Sequence, residues 1–175
     1  MGTSARGSRP TPARVEVAMG VAKSRLPMPA ARFRRDAARA VAAAGLTGRV
    51  SVAVVSDATM RRVNRQFHDC DEPTDVLAFP LAGAAGDGFD AEIVVSLDTA
   101  RREAKSHGVE PAAELMLYVV HGALHLTGYD DHALADARRM HERALAILAG
   151  LGHRNTIRPR AKARSKPRRS ARQRP

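Results

Sequence analysis

Two histidines four residues apart are the strongest chemical signal in this 175-residue chain: His121 and His125 sit inside the apolar run from Leu115 to Leu126. On a helix, four residues advance one turn plus ~40°, so both imidazoles leave the same face and can reach one ion. Gly128 follows as a helix stop, and Tyr129-Asp130-Asp131-His132 could turn the chain back beneath that face. A third ligand from Asp131 or His132 would leave a fourth position open, the arrangement of a catalytic zinc site with one Zn(2+) per chain. Cysteine cannot supply the alternative, because Cys70 is the single one in the chain. Neither an intramolecular disulfide nor a four-cysteine zinc site is possible.

Paired histidines alone are as often ordinary hydrogen-bonded residues as ligands, and the donors after the Gly128 stop tip the balance toward a metal. The same helix argues against peptide hydrolysis. In the H-E-x-x-H motif a glutamate follows the first histidine as general base, and here that position is Gly122. The spacing therefore supports a metal but disfavours a metallopeptidase-like hydrolase.

The charge distribution favours a polyanionic partner. Residues 1–49 carry 10 Lys/Arg against 2 Asp/Glu, residues 50–150 carry 9 against 16, and residues 151–175 carry 10 against none, within a total of +11. Basic arms around an acidic centre could neutralise a polyanion. Aromatics make up only 3% and Trp is absent, which excludes an aromatic stacking platform of the RRM kind. No apolar run nears the ~18 residues of a membrane span. The start lacks an apolar signal core, and Arg6 stands where a myristoylation site needs Ser or Thr, so a cytoplasmic protein without membrane contact is expected.

The elements that must position the histidines follow from periodicity. Alternation predicts strands over 14–18 and 50–55, and short apolar runs predict further strands over 76–79, ended by Pro80, and 93–95. Helices are expected over 32–44, from a cap at Asp57 to about Phe67, and over 98–106, 111–126 and 133–148. The expected fold is α+β, sandwich-like, with about four strands packed against about five helices and the metal site on a helix and the turn after it. Residues 1–13 and 153–175 read as disordered arms, the second strongly basic, around a folded domain over 14–152.

Beyond these patterns, His121-Gly122-Ala123-Leu124-His125-Leu126-Thr127-Gly128-Tyr129-Asp130 resembles the H-G-x-L-H-L-x-G-Y-D-H signature of the YbeY family, bacterial single-strand endoribonucleases of ribosomal RNA maturation. Thr74-Asp75-Val76-Leu77-Ala78-Phe79-Pro80, in a block that begins at Asn64, is similar to that family's T-[DN]-V-L-S-F-P strand. Ala91-Glu92-Ile93-Val94 stands where the family usually has G-D-I, and Met140 with Glu142 and Arg143 falls in its final helix. The resemblance covers about 14–152. It implies a small α/β fold, a zinc ion held by three histidines, cleavage of single-stranded RNA, processing at the 3′ end of small-subunit ribosomal RNA and a part in ribosome quality control. The implied partners are that RNA and the small ribosomal subunit with its proteins. A metal-dependent endoribonuclease is thus the first reading, a noncatalytic ribosome assembly factor whose zinc is structural is the alternative, and a metallopeptidase-like hydrolase is the least favoured.

Two positions depart from the family pattern. Asp131 occupies the place of the third histidine and His132 comes one residue later; His132 is the expected ligand, with Asp131 as the alternative. His68 stands where the family usually has Arg beside an aromatic residue, here Phe67, and Arg65 lies about one turn back. His68 and Arg65 are the candidates for contact with RNA or with transition-state charge, although a neutral imidazole would serve weakly near pH 7. His68 as an ordinary surface residue is an equally good reading.

Overall fold

The computed structural model describes residues 13–81 and 90–153. Most of the arm expected over 1–13, the Gly-rich loop over 83–88 and the basic segment beyond His153 lie outside them. The described residues form four strands and five helices, the expected α+β class. In chain order these are β1 (Arg14–Met19), α1 (Ala30–Ala44), β2 (Arg49–Val55), α2 (Asp57–His68), β3 (Val76–Pro80), β4 (Ala91–Ser96), α3 (Leu97–His107), α4 (Pro111–Leu126) and α5 (Leu134–Gly150). The sheet order is β1-β2-β4-β3; β2 runs parallel to β1 and β4, and β3 is antiparallel to β4 on one edge.

Strand alternation divides the core between two faces. Val50, Val52, Val54, Ile93 and Val95 join the main core with α1, α4 and α5. Val55, Leu77 and Val94 instead form a smaller cluster with Met60 of α2. Helix α1 turns Phe33, Ala37, Val41 and Ala44 inward at helical spacing and stops at Gly45, whose φ of 96° is the left-handed conformation that frees a C-terminal cap. Helix α4 begins with Pro111 at its first turn, where a missing N–H is harmless, and buries residues on most of its circumference. It is the central helix, apolar nearly all round because neighbours cover it nearly all round.

Three expectations from sequence need correction. Ser56, not Asp57, caps α2: its side chain accepts from the Thr59 N–H at 3.3 Å. Asp57 is thereby released to accept from Ser96 Oγ at 2.5 Å and Thr99 Oγ1 at 2.7 Å, tying the start of α2 to the start of α3. Pro80 does not stop β3 at Phe79 but is itself the last residue of the strand, paired opposite Ala91. An edge strand tolerates proline because one of its sides needs no donors.

The third concerns His153, assigned by sequence to the tail. Its side chain is 4% exposed and its Nε2 lies 3.1 Å from Oδ2 of Asp36, itself 2% exposed on α1. Burial alone would raise the Asp36 carboxyl, but the hydrogen bonds from His153 and Arg32 and the charges of His153 and Arg35 outweigh it and hold it below its ordinary 3.8. A depressed carboxylate stabilises the fold above its unfolded-state value, and that contribution is lost as pH falls through the lower folded-state value. Acid unfolding below about pH 4 should therefore be flatter for Asp36→Asn than for the wild type. His153→Ala leaves a buried carboxylate with only its exposed arginine neighbours and should cost about 3 kcal/mol at neutral pH. Chemical denaturation across pH checks both; an unchanged midpoint for His153→Ala would return that residue to the tail.

Candidate metal centre

The two histidines of α4 converge as their spacing predicts. His121 Nε2 and His125 Nε2 are 3.1 Å apart, with ring centroids 4.6 Å apart and ring planes at 89°. Tetrahedral zinc with Zn–N bonds of 2.0–2.1 Å holds two nitrogens about 3.3 Å apart, so this separation suits one shared ion. The backbone carbonyl of Tyr129 lies 3.1 Å from His125 Nδ1. Nδ1–H donates to that carbonyl, which fixes the tautomer and leaves the Nε2 lone pair for a metal.

The turn that supplies the carbonyl also brings a carboxylate to the two histidines. Gly128, at φ 91°, lets α4 end with the Gly128 N–H on His125 O and the Tyr129 N–H on Leu124 O. Asp130 Oδ1 then accepts from the N–H groups of Asp131 at 2.6 Å and His132 at 3.1 Å. This tight side-chain-to-backbone turn gathers the donor atoms of Asp130, Asp131 and His132 within 4.8 Å of one another at the groove. Asp131 joins His121 and His125, with one ligand atom from each residue and all three within 4.8 Å of one another. His132, the ligand preferred on sequence, also lines the groove, grouped with Asp130 and Asp131, but it is not grouped with the two histidines of α4; its Nε2 lies 3.5 Å from Asp130 Oδ1 and its side chain is 78% exposed.

These groups lie along a groove of about 840 Å³ built from α4, the edge of β3, α3 and α5. Glu72, Asp75, Glu103, Glu114, Asp130 and Asp131 are its described carboxylates; Arg102 is the single Lys or Arg among the described lining residues. His141 of α5 also lines it. Sequence reasoning missed Glu114, Arg102 and His141. Glu114 was findable: seven residues before His121, it is the one acid of an apolar helix and shares the histidine face. Arg102 and His141 carried no such signal, because only the packing of α3 and α5 against α4 brings them there.

The other sequence candidates stand apart from the groove. His68 packs its ring 6.3 Å from that of Phe79, and Phe67 lies 4.9 Å from the same ring. Arg65 places Nη1 3.7 Å from Asp71. Neither His68 nor Arg65 is among the described residues lining the groove.

Known proteins bear on this geometry in three ways. Residues 24–152 match the family model described as Endoribonuclease YbeY. Proteins of that name are 43% identical in Anaeromyxobacter dehalogenans over 68% of this chain and 64% of their own, 42% in Moorella thermoacetica over 65% and 80%, and 36% in Geobacter metallireducens over 77% and 95%. The chain thus spans just under two thirds of the Anaeromyxobacter protein. The solution structure of TM1509 from Thermotoga maritima superposes with a TM-score of 0.52 at 25% identity, over 78% of this chain and 91% of that one. With its matched region running from before α1 to the end of α5 and containing the whole histidine-aspartate cluster, the chain belongs to the YbeY family.

Proposed function

We propose that this protein is a zinc-dependent endoribonuclease of single-stranded RNA, acting in the cytoplasm on the 3′ end of small-subunit ribosomal RNA and in ribosome quality control. The observation that supports the reading most is the convergence of His121, His125 and Asp131 on one point of an open groove in a chain of this family. His121, His125 and Asp131 would hold the ion, and zinc bound there supplies a Lewis acid beside a phosphodiester. His125 contributes a lone pair oriented by the Tyr129 carbonyl, and Asp131 contributes a carboxylate aimed by the Asp130 turn. The basic segments, 10 cations in residues 151–175 alone, would gather ribosomal RNA that the acidic groove does not attract by itself. No described helix is long and apolar enough to cross a membrane.

The test is cleavage of unstructured RNA by purified protein, lost on chelation and restored by zinc, with duplex RNA spared because pairing restrains the in-line geometry. Protein that cuts neither RNA nor casein yet binds small ribosomal subunits would be a noncatalytic assembly factor instead. Zinc-dependent cleavage of casein with RNA left intact would favour the peptidase.

Asp131 as third ligand makes its own prediction. Asp131→Ala should weaken zinc binding well beyond the ~10–100-fold typical of groups that merely orient a ligand, while His132→Ala should stay within that range. Competition with a chromophoric chelator measures both, and the reverse ranking would give the role to His132.

A further inference from the structure

A groove lined by six carboxylates is a poor host for a polyanion. A metal ion would offset part of that field, and one other positive group of fixed charge lines the described groove, the guanidinium of Arg102. Its position is set by its neighbours. Nη1 donates to Asp57 Oδ2 at 2.8 Å, and Nη2 donates to Thr99 Oγ1 at 2.9 Å. Asp57 is a firm anchor: its other oxygen accepts from Ser96 and Thr99, and these bonds with the Arg102 charge hold its carboxyl below the ordinary range despite burial, which opposes this. The first turns of α2 and α3 are thus joined through the carboxylate that grips the arginine.

Arg102 nonetheless remains 55% exposed. A guanidinium carries five N–H donors, and two bonds to Asp57 and Thr99 leave others for a ligand. Nε lies 4.0 Å from Glu103 Oε1, and the remaining N–H groups of the exposed guanidinium are donors of the kind that suits phosphate oxygens. His68 and Arg65, both outside the lining, cannot offer this inside the groove.

We propose that Arg102 is the groove's phosphate-binding residue, positioned by Asp57 and Thr99 to receive a backbone phosphate of the single strand whose neighbouring diester lies at the His121-His125-Asp131 cluster. This rests on the endoribonuclease reading and adds to it the residue that holds the substrate.

The experiment is equilibrium binding of a single-stranded oligouridylate to the full-length, zinc-loaded protein across a salt series, with intact RNA verified on the same samples. Each phosphate neutralised on a single strand contributes about 0.7 to the slope of log K against log salt. Arg102→Gln should therefore lower the slope by about 0.7 and weaken binding several-fold at low salt. Zinc content and melting temperature should stay near wild type. Arg102→Lys, which keeps the charge, should retain most of the slope, and Arg62→Gln, on α2 outside the lining, should change it far less. An equal fall for Arg62→Gln would show a general charge effect and overturn the assignment; so would loss of zinc from Arg102→Gln. Wild-type protein that cuts RNA while Arg102→Gln keeps its slope refutes the Arg102 role alone. A lowered slope for Arg102→Gln beside wild-type protein that never cuts refutes the nuclease reading alone, and wild-type protein that does not bind the oligonucleotide refutes both.

Discussion

His121→Ala or His125→Ala is expected to strip the zinc and to lower single-strand RNA cleavage by more than about 100-fold, beyond the range for residues that only orient a ligand. The two nitrogens sit 3.1 Å apart on one helical face, so each substitution removes a ligand that no neighbouring residue on α4 replaces. Asp131 would be left with one imidazole, too few donors for a three-ligand open site. The fold should survive, because His121 and His125 are partly exposed and the core around them is carried by Val119, Val120, Ala123 and Leu124. Metal analysis of protein purified without added zinc, with circular dichroism on the same samples, checks both parts. Zinc retained by the His121→Ala, His125→Ala double variant would sink the site, and full cleavage without zinc would assign the activity to something else.

How much of this could be read beforehand depended on the range of the interaction concerned. Helix α4 was expected over 111–126 and is found at Pro111–Leu126, because proline at its start, an unbroken apolar run and a glycine stop are all local signals. The histidine pair followed from helical geometry alone. The grouping of Asp131 with both histidines did not, since it depends on the conformation of the turn that Asp130 Oδ1 closes through the Asp131 and His132 N–H groups, which composition does not encode. His153 looked like tail because its partner, Asp36, lies 117 residues away. The sheet order placed β4 between β2 and β3, and nothing in strand periodicity distinguishes that arrangement from a sequential one. Arg102 was invisible for the same reason, as only the packing of α3 beside α4 makes it part of the groove.

Gly122 shows the reverse case, a residue noticed for the chemistry it lacks and retained for the contact it permits. A Cβ built there would lie 2.8 Å from Ile93 Cγ2, closer than real Cβ atoms pack, and 3.0 Å from Val76 Cγ2, a tight contact, both on the sheet. Helix α4 therefore rests directly on β4 and β3 at the position between its two histidines, so a side chain added there would push the helix away from the sheet. Gly122→Ala should gain about 1 kcal/mol in helix propensity but lose about 1–3 to overpacking, a small net destabilisation. Its larger effect should be on cleavage. Lifting α4 by a fraction of an ångström displaces both candidate ligands together, and a misplacement of about 1 Å can cost 10²-fold in rate. Gly122→Glu, which would recreate H-E-x-x-H, must drive a carboxylate into Ile93 and Val76, with an expected loss of at least about 4 kcal/mol and little folded protein. Thermal melts, zinc content and RNA cleavage of the alanine variant form the decisive set. Wild-type cleavage by Gly122→Ala would show that the helix seat does not govern the site, and a folded, zinc-bound Gly122→Glu that hydrolyses peptides would show that only the missing base separated this groove from a peptidase.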